Sequence, residues 1–137
     1  MYSDTYRQPD FEKAAEVYRK ARELGAPALT ARKEFYALAR VPSKSREALK
    51  LGKELFKDPR NRVPSLVTNI FVLENRLHVP EKDRIPFREL YPTDEIARDM
   101  MTAHLANSLR YPVDGLRETL ESLPEANPDD PAPDGKD

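Results

Sequence analysis

The sequence predicts an all-α fold: a single small domain of five to six short helices, a long proline-rich internal loop, and a disordered acidic C-terminal tail. Three observations predict it. Apolar residues recur at the three-and-four spacing of an amphipathic helix in one segment after another. Of the 13 prolines, the nine ahead of the last 14 residues fall before or between these segments or in their first turns, where helices tolerate them. No segment alternates apolar and polar residues with the two-residue period of a half-buried strand. At 137 residues and 39% hydrophobic, the chain has the length of one domain and apolar material for a modest core. The helical domain is expected over residues 1–123 and the tail over 124–137.

The first helix should start after Asp10, a residue type that caps N-termini, and stop at Gly25, a type found just past helix ends. Phe11, Ala14, Ala15, Val17, Tyr18, Ala21 and Leu24 supply its apolar positions. A second helix fits Pro27 to Arg40, with proline in the first turn. The third fits Lys44 to Lys57, capped by Ser43 and closed by Pro59. The fourth fits Leu66 to His78, capped by Ser65 and stopped by Pro80. Thr93 should cap a fifth from Asp94 to Leu109, and a short sixth fits Val113 to Leu123. Residues 79–92 form a connection that is long for a compact domain. Its apolar residues Ile85, Phe87, Leu90 and Tyr91 allow two readings: an arm packed over the helices with one turn at Phe87–Leu90, or a partner-binding arm. Expected core positions are Phe11, Val17, Leu24, Phe35, Leu38, Leu51, Leu55, Leu66, Ile70, Leu73, Leu77, Ile96, Met100, Leu105 and Leu109.

Charge is plentiful but unevenly placed. Residues 1–63 carry 15 Lys/Arg against 9 Asp/Glu, and residues 64–137 carry 8 against 15. A nearly neutral total thus hides a dipolar chain, a layout that suits a charged partner or self-association. The last 14 residues hold four prolines, five acidic side chains and no large apolar one, so nothing there offsets the entropy of ordering. Without cysteine, disulfides, thiolate metal sites and thiol nucleophiles are excluded. The longest aliphatic or aromatic run, Ile70 to Leu73, is far short of the about 20 apolar residues of a membrane helix. The opening Met1-Tyr2-Ser3-Asp4 lacks a signal-peptide pattern. A cytoplasmic protein without a membrane partner is the expectation.

The third helix has the clearest surface design. At about 100° per residue, Arg46, Lys50, Lys53 and Lys57 form one basic stripe opposite Ala48, Leu49, Leu51, Gly52, Leu55 and Phe56. Such a face suits an acidic protein surface, DNA phosphates, or solvent alone. The segment Glu34 to Leu49 loosely resembles a helix-turn-helix, with Val41 at the turn. It departs from that unit at Arg40, where glycine is usual, and at Arg46, where an apolar residue locks the helices. Phe11 to Ala21 resembles one helix of a tetratricopeptide repeat, but no second copy follows about 34 residues later. Neither resemblance names a family.

Chemistry is sparse. His78 and His104 are the only imidazoles. Glu74 and His78 stand four apart on one expected helix, too few ligands for a metal site; His104 reads as a core histidine satisfied by Asn107 or a backbone carbonyl. No phosphate-binding, nucleophile-elbow or zinc-protease motif occurs. The expectation is a non-enzyme with no catalytic residue, cofactor or metal. It would be an adaptor or regulator binding another protein through Arg46, Lys50, Lys53 and Lys57, with Phe87, Leu90 and Tyr91 as apolar anchors. The alternative is a nucleic-acid-binding regulator using the same stripe.

Overall fold

The chain punctuates its helices where capping chemistry directs. In the computed structural model, which describes residues 10–124, α1 spans Phe11–Glu23 and starts under the Asp10 side chain, which accepts the Lys13 backbone N–H at 3.0 Å. Then come α2 (Ala28–Ala39), α3 (Ser45–Phe56), α4 (Pro64–Arg76) and α5 (Phe87–Leu90). They are followed by α6 (Asp94–Ala106), where Thr93 Oγ1 caps Ile96 at 3.1 Å, and α7 (Leu116–Ser122). Single 3-10 turns lie at Pro42–Lys44, Pro59–Asn61 and Glu81–Asp83. Among the described residues the fold is all-helical, one small domain without a strand. The acidic tail lies outside them except for Pro124.

Two expected caps are corrected. Ser43 sits inside the turn before α3, and Ser45 Oγ donates back to the Pro42 carbonyl instead. Ser65 lies within α4, its hydroxyl 2.7 Å from the Tyr36 hydroxyl, and Val63 occupies the cap position. The Ser65 hydroxyl is engaged by a distant side chain, whereas Ser45 turns back to a carbonyl three residues before it. The last helix also begins later than Val113, because Gly115 takes a left-handed φ of +72° ahead of Leu116. A Cβ there would stand 2.7 Å from Asn75 Nδ2, and that same amide donates to the Asp114 carbonyl at 2.8 Å.

The core is built around α4, in which every residue from Leu66 to Glu74 is buried. A helix apolar on nearly all sides must be surrounded; α2, α3, α5 and α6 surround it. Gly52 on α3 permits a close approach: a Cβ there would lie 2.6 Å from Phe35 Cε1 and 3.1 Å from Ile70 Cγ1. At the periphery, α1 packs on α2 and α7 on α6.

Four expected core residues are exposed: Val17 (60%), Leu24 (89%), Ile96 (38%) and Leu109 (95%). The reason is shared. α1 and α6 are peripheral, so each buries one stripe, and Val17 and Ile96 lie off it. Leu24 and Leu109 fall in the turns after their helices end. On α6 the buried stripe is Ala97, Met101 and His104, narrower than its sequence suggests.

Candidate functional site

α3 buries Ala48, Leu49, Gly52 and Phe56, and helical period alone then turns its basic stripe outward. The structure divides that stripe. Arg46, Lys50 and Lys57 are exposed, and none has a carboxylate within ion-pair distance among the described residues. Lys53 is drawn inward. Its Nζ lies 3.4 Å from Glu74 Oε2 and donates to the Asp83 carbonyl at 3.1 Å.

Glu74 explains this departure. Its side chain is buried on α4, Oε2 accepts the Ile85 backbone N–H at 3.0 Å, and Oε1 has no hydrogen-bond partner among the described residues. A buried carboxylate is costly without a counter-charge. Lys53 supplies it. Arg84 completes the clip by donating to the Val79 carbonyl at 2.8 Å, the Glu74 carbonyl at 3.2 Å and Asn75 Oδ1 at 2.7 Å. The arm's first half is thereby held to α3 and α4 by charge.

Its second half is held by aromatic packing. The expected turn at Phe87–Leu90 is present as α5. Leu90 is 3% exposed and Tyr91 0%, which corrects their reading as partner anchors: both face the core. Phe71 meets Tyr91 and Phe87 edge-on at 5.9 and 5.7 Å, a favoured geometry for ring pairs. The Tyr91 hydroxyl lies 2.9 Å from Thr68 Oγ1. Burial pushes its phenol pKa up, opposed by the Thr68 hydrogen bond. Phe87 is half-buried, and its ring is engaged with Phe71 and Tyr91. A loop residue buries when its neighbours offer a hydroxyl and a ring; the packed-arm reading describes this segment.

Both histidines stand apart from any nucleophile in the hydrogen-bond pattern. His78 is exposed at φ +52°, beyond the end of α4, and the Glu74 hydrogen bond runs to Ile85 rather than to it. His104 is buried, its Nε2 2.9 Å from the Pro112 carbonyl and its ring stacked on Tyr111. That carbonyl can only accept, so Nε2 carries a proton and donates. Burial lowers the His104 pKa, with the Pro112 hydrogen bond opposing. Among the described residues no group of three or more His, Asp or Glu side chains is placed to hold a metal ion. No helix of the described residues is long and apolar enough to cross a membrane.

The helix-turn-helix likeness has little geometric support. Arg46 is exposed instead of locking α3 onto α2, and the Arg40 guanidinium lies 4.0 Å over the Phe11 ring. No protein-family model, curated protein or solved structure matches the chain. The site must be read from its own chemistry.

The sequence reading missed the role of Glu74. A lone acid closing the apolar run Ile70 to Leu73 signals a buried charge in need of a partner. Which cation answers it, Lys53, is set by how α3 lies on α4.

Proposed function

We propose that the chain is a small non-enzymatic adaptor or regulator of the cytoplasm that meets an acidic surface on another protein through α3. The observation that supports this is the division of the stripe. Three cations of one helix face stay exposed with no carboxylate within ion-pair distance among the described residues, while the fourth is consumed inside the fold. Lys44 gives the contrast: it lies 3.7 Å from Glu12 and 3.8 Å from Glu47, a locally compensated charge. An uncompensated row on a rigid helix speeds encounter and selects among partners more than it adds affinity. The non-enzymatic part of the reading rests on the histidines, one tied to a carbonyl and one exposed on a turn.

The test is capture of partners by the full chain and by an Arg46→Glu/Lys50→Glu/Lys57→Glu variant, with circular dichroism checking that helicity is kept. Binding should fall at least about tenfold, the scale of rim-charge reversal, and should weaken with salt. Equal capture by both proteins would overturn the reading. A salt titration with generic duplex DNA distinguishes the other class. Three phosphate contacts give a log–log slope of about −3, and binding with that slope would replace the protein partner by nucleic acid.

A further inference from the structure

A wide concavity among the described residues lies away from the exposed α3 face. A hollow of about 520 Å³ opens between the first turn of α1, the end of α2 and the segment 109–112. A second, of about 250 Å³, lies between α1 and α2. Both are lined by Phe11, Arg40, Arg110 and Tyr111, so they are adjoining lobes of a groove that share this wall. The larger lobe alone falls within the about 300–1,000 Å³ of small-molecule sites.

Its charges are unbalanced. In the larger lobe Asp10 is occupied as the cap of α1, Glu12 faces Lys44, and Arg76 is paired with Asp114 at 2.9 Å. No carboxylate lines the smaller lobe, where Lys33 joins the two arginines. Neither Arg40 nor Arg110 has a carboxylate partner among the described residues. The Arg40 guanidinium lies over the Phe11 ring, and its one side-chain hydrogen bond among the described residues runs to the Leu109 carbonyl at 3.3 Å. Burial lowers the Arg40 pKa, and the charge of Arg110 lowers it further. Two guanidinium groups that repel each other at a shared wall are stabilised by an anion between them. The remaining wall is aromatic: Tyr18 and Tyr36 line the smaller lobe, with Tyr36 tilted 6.1 Å from Tyr111.

We infer that this groove binds a small aromatic phosphate of nucleotide size, its phosphate between Arg40 and Arg110 and its ring system against Tyr18, Tyr36 and Tyr111. Guanidinium groups match phosphate oxygens in geometry as well as charge, and stacking on tyrosine supplies the preference for an aromatic body. The site is separate from the proposed α3 docking face.

The probe is adenosine 5′-monophosphate titrated into the full chain by NMR, with inorganic phosphate and adenosine as its two halves. Saturable binding is expected that shifts Arg110 and Tyr111 signals, with either half at least about tenfold weaker, the loss of one main contact set. Arg40→Gln/Arg110→Gln should weaken the whole probe at least about tenfold as well. Arg110→Gln alone changes an exposed side chain and serves if the double variant does not fold; it should weaken binding in the same direction. Absence of saturable binding, or affinity unchanged in a folded arginine variant, would overturn the inference. So would inorganic phosphate or an acidic peptide binding as tightly as the nucleotide.

Discussion

α3 and α4 lie side by side, with 12 and 13 residues, and handle polarity in opposite ways. α3 keeps Arg46 and Lys50 on one outward face, turns only Lys53 inward, and buries Ala48, Leu49, Gly52 and Phe56 on the other side. α4 is buried from Leu66 to Glu74, and carries Thr68, Asn69 and Glu74 inside with it. Each internal polar group therefore needs a partner. Asn69 Nδ2 donates to the Ser65 carbonyl at 2.8 Å, Thr68 meets Tyr91, and Glu74 meets Lys53 and Ile85. A surface helix can be altered one residue at a time. A central helix fixes the identity of residues far away in sequence, and two of those, Lys53 and Tyr91, look from sequence alone like surface groups.

The largest effect is expected at Tyr91. Tyr91→Ala removes a buried ring and leaves Thr68 without its partner, a loss of about 3–5 kcal/mol. Tyr91→Phe keeps the ring and should cost about 1 kcal/mol, the hydrogen bond alone. Urea denaturation measures both. If Tyr91→Ala cost no more than Tyr91→Phe, the arm would not be part of the core.

Charge reversal on α3 sharpens the contrast further. Lys53→Glu places a second carboxylate beside buried Glu74 and should cost about 3 kcal/mol, the range for a broken buried pair. Lys50→Glu, one turn away on the same face, should stay within about 0.5 kcal/mol. Similar losses in both variants would mean that Lys53 is an ordinary surface lysine. The pair also separates stability from binding: Lys50 tests the docking face, whereas Lys53 cannot be reversed without disturbing the fold.

Much of this architecture was legible in the sequence because it is periodic. The α3 face follows from the spacing of Arg46, Lys50 and Lys57, and the caps Asp10 and Thr93 follow from residue type. On α4, the burial of Leu66, Ile70 and Leu73 follows from helical spacing. What could not be read depends on three-dimensional juxtaposition. Leu90 and Tyr91 bury themselves from an irregular segment, where no period reports which way a side chain faces. Glu74 and Lys53 are 21 positions apart, and only the crossing of α3 on α4 joins them. The groove gathers Arg40 and Arg110 from opposite halves of the chain. Val17 and Ile96 misled for the converse reason: a good helical apolar position is buried only where a neighbour covers it.

Gly52 faces Phe35 of α2 and Ile70 of α4 with no room for a Cβ, and its substitution has a smaller expected effect. Gly52→Ala gains about 1 kcal/mol of helix propensity but drives a methyl group against Phe35 and Ile70. Overpacking of a well-filled core costs about 1–3 kcal/mol, so a net loss of about 1 kcal/mol is expected by thermal melting. A net gain would show that the Phe35 ring yields freely and that the packing of α3 against α2 and α4 is loose at Gly52.

The smallest effect is a pH dependence, and it extends the comparison to α6, where a buried polar group is satisfied by backbone instead of charge. Burial lowers the His104 pKa from its ordinary value of 6.5. The unfolded chain then binds the proton more readily than the folded one, so folding is opposed wherever the unfolded histidine is charged. The stabilisation held by neutral His104 is complete above pH 6.5 and is lost as the pH falls through the lower folded value. His104→Gln removes this titration. The stability gap between the natural chain and that variant should therefore be widest near about pH 8 and narrow towards about pH 5, measured by denaturant midpoints at each pH. Carboxylates elsewhere titrate in both proteins and cancel in the difference. A gap that stays constant across that range would mean His104 keeps its proton equilibrium on folding, and that its bond to Pro112 offsets the burial in full.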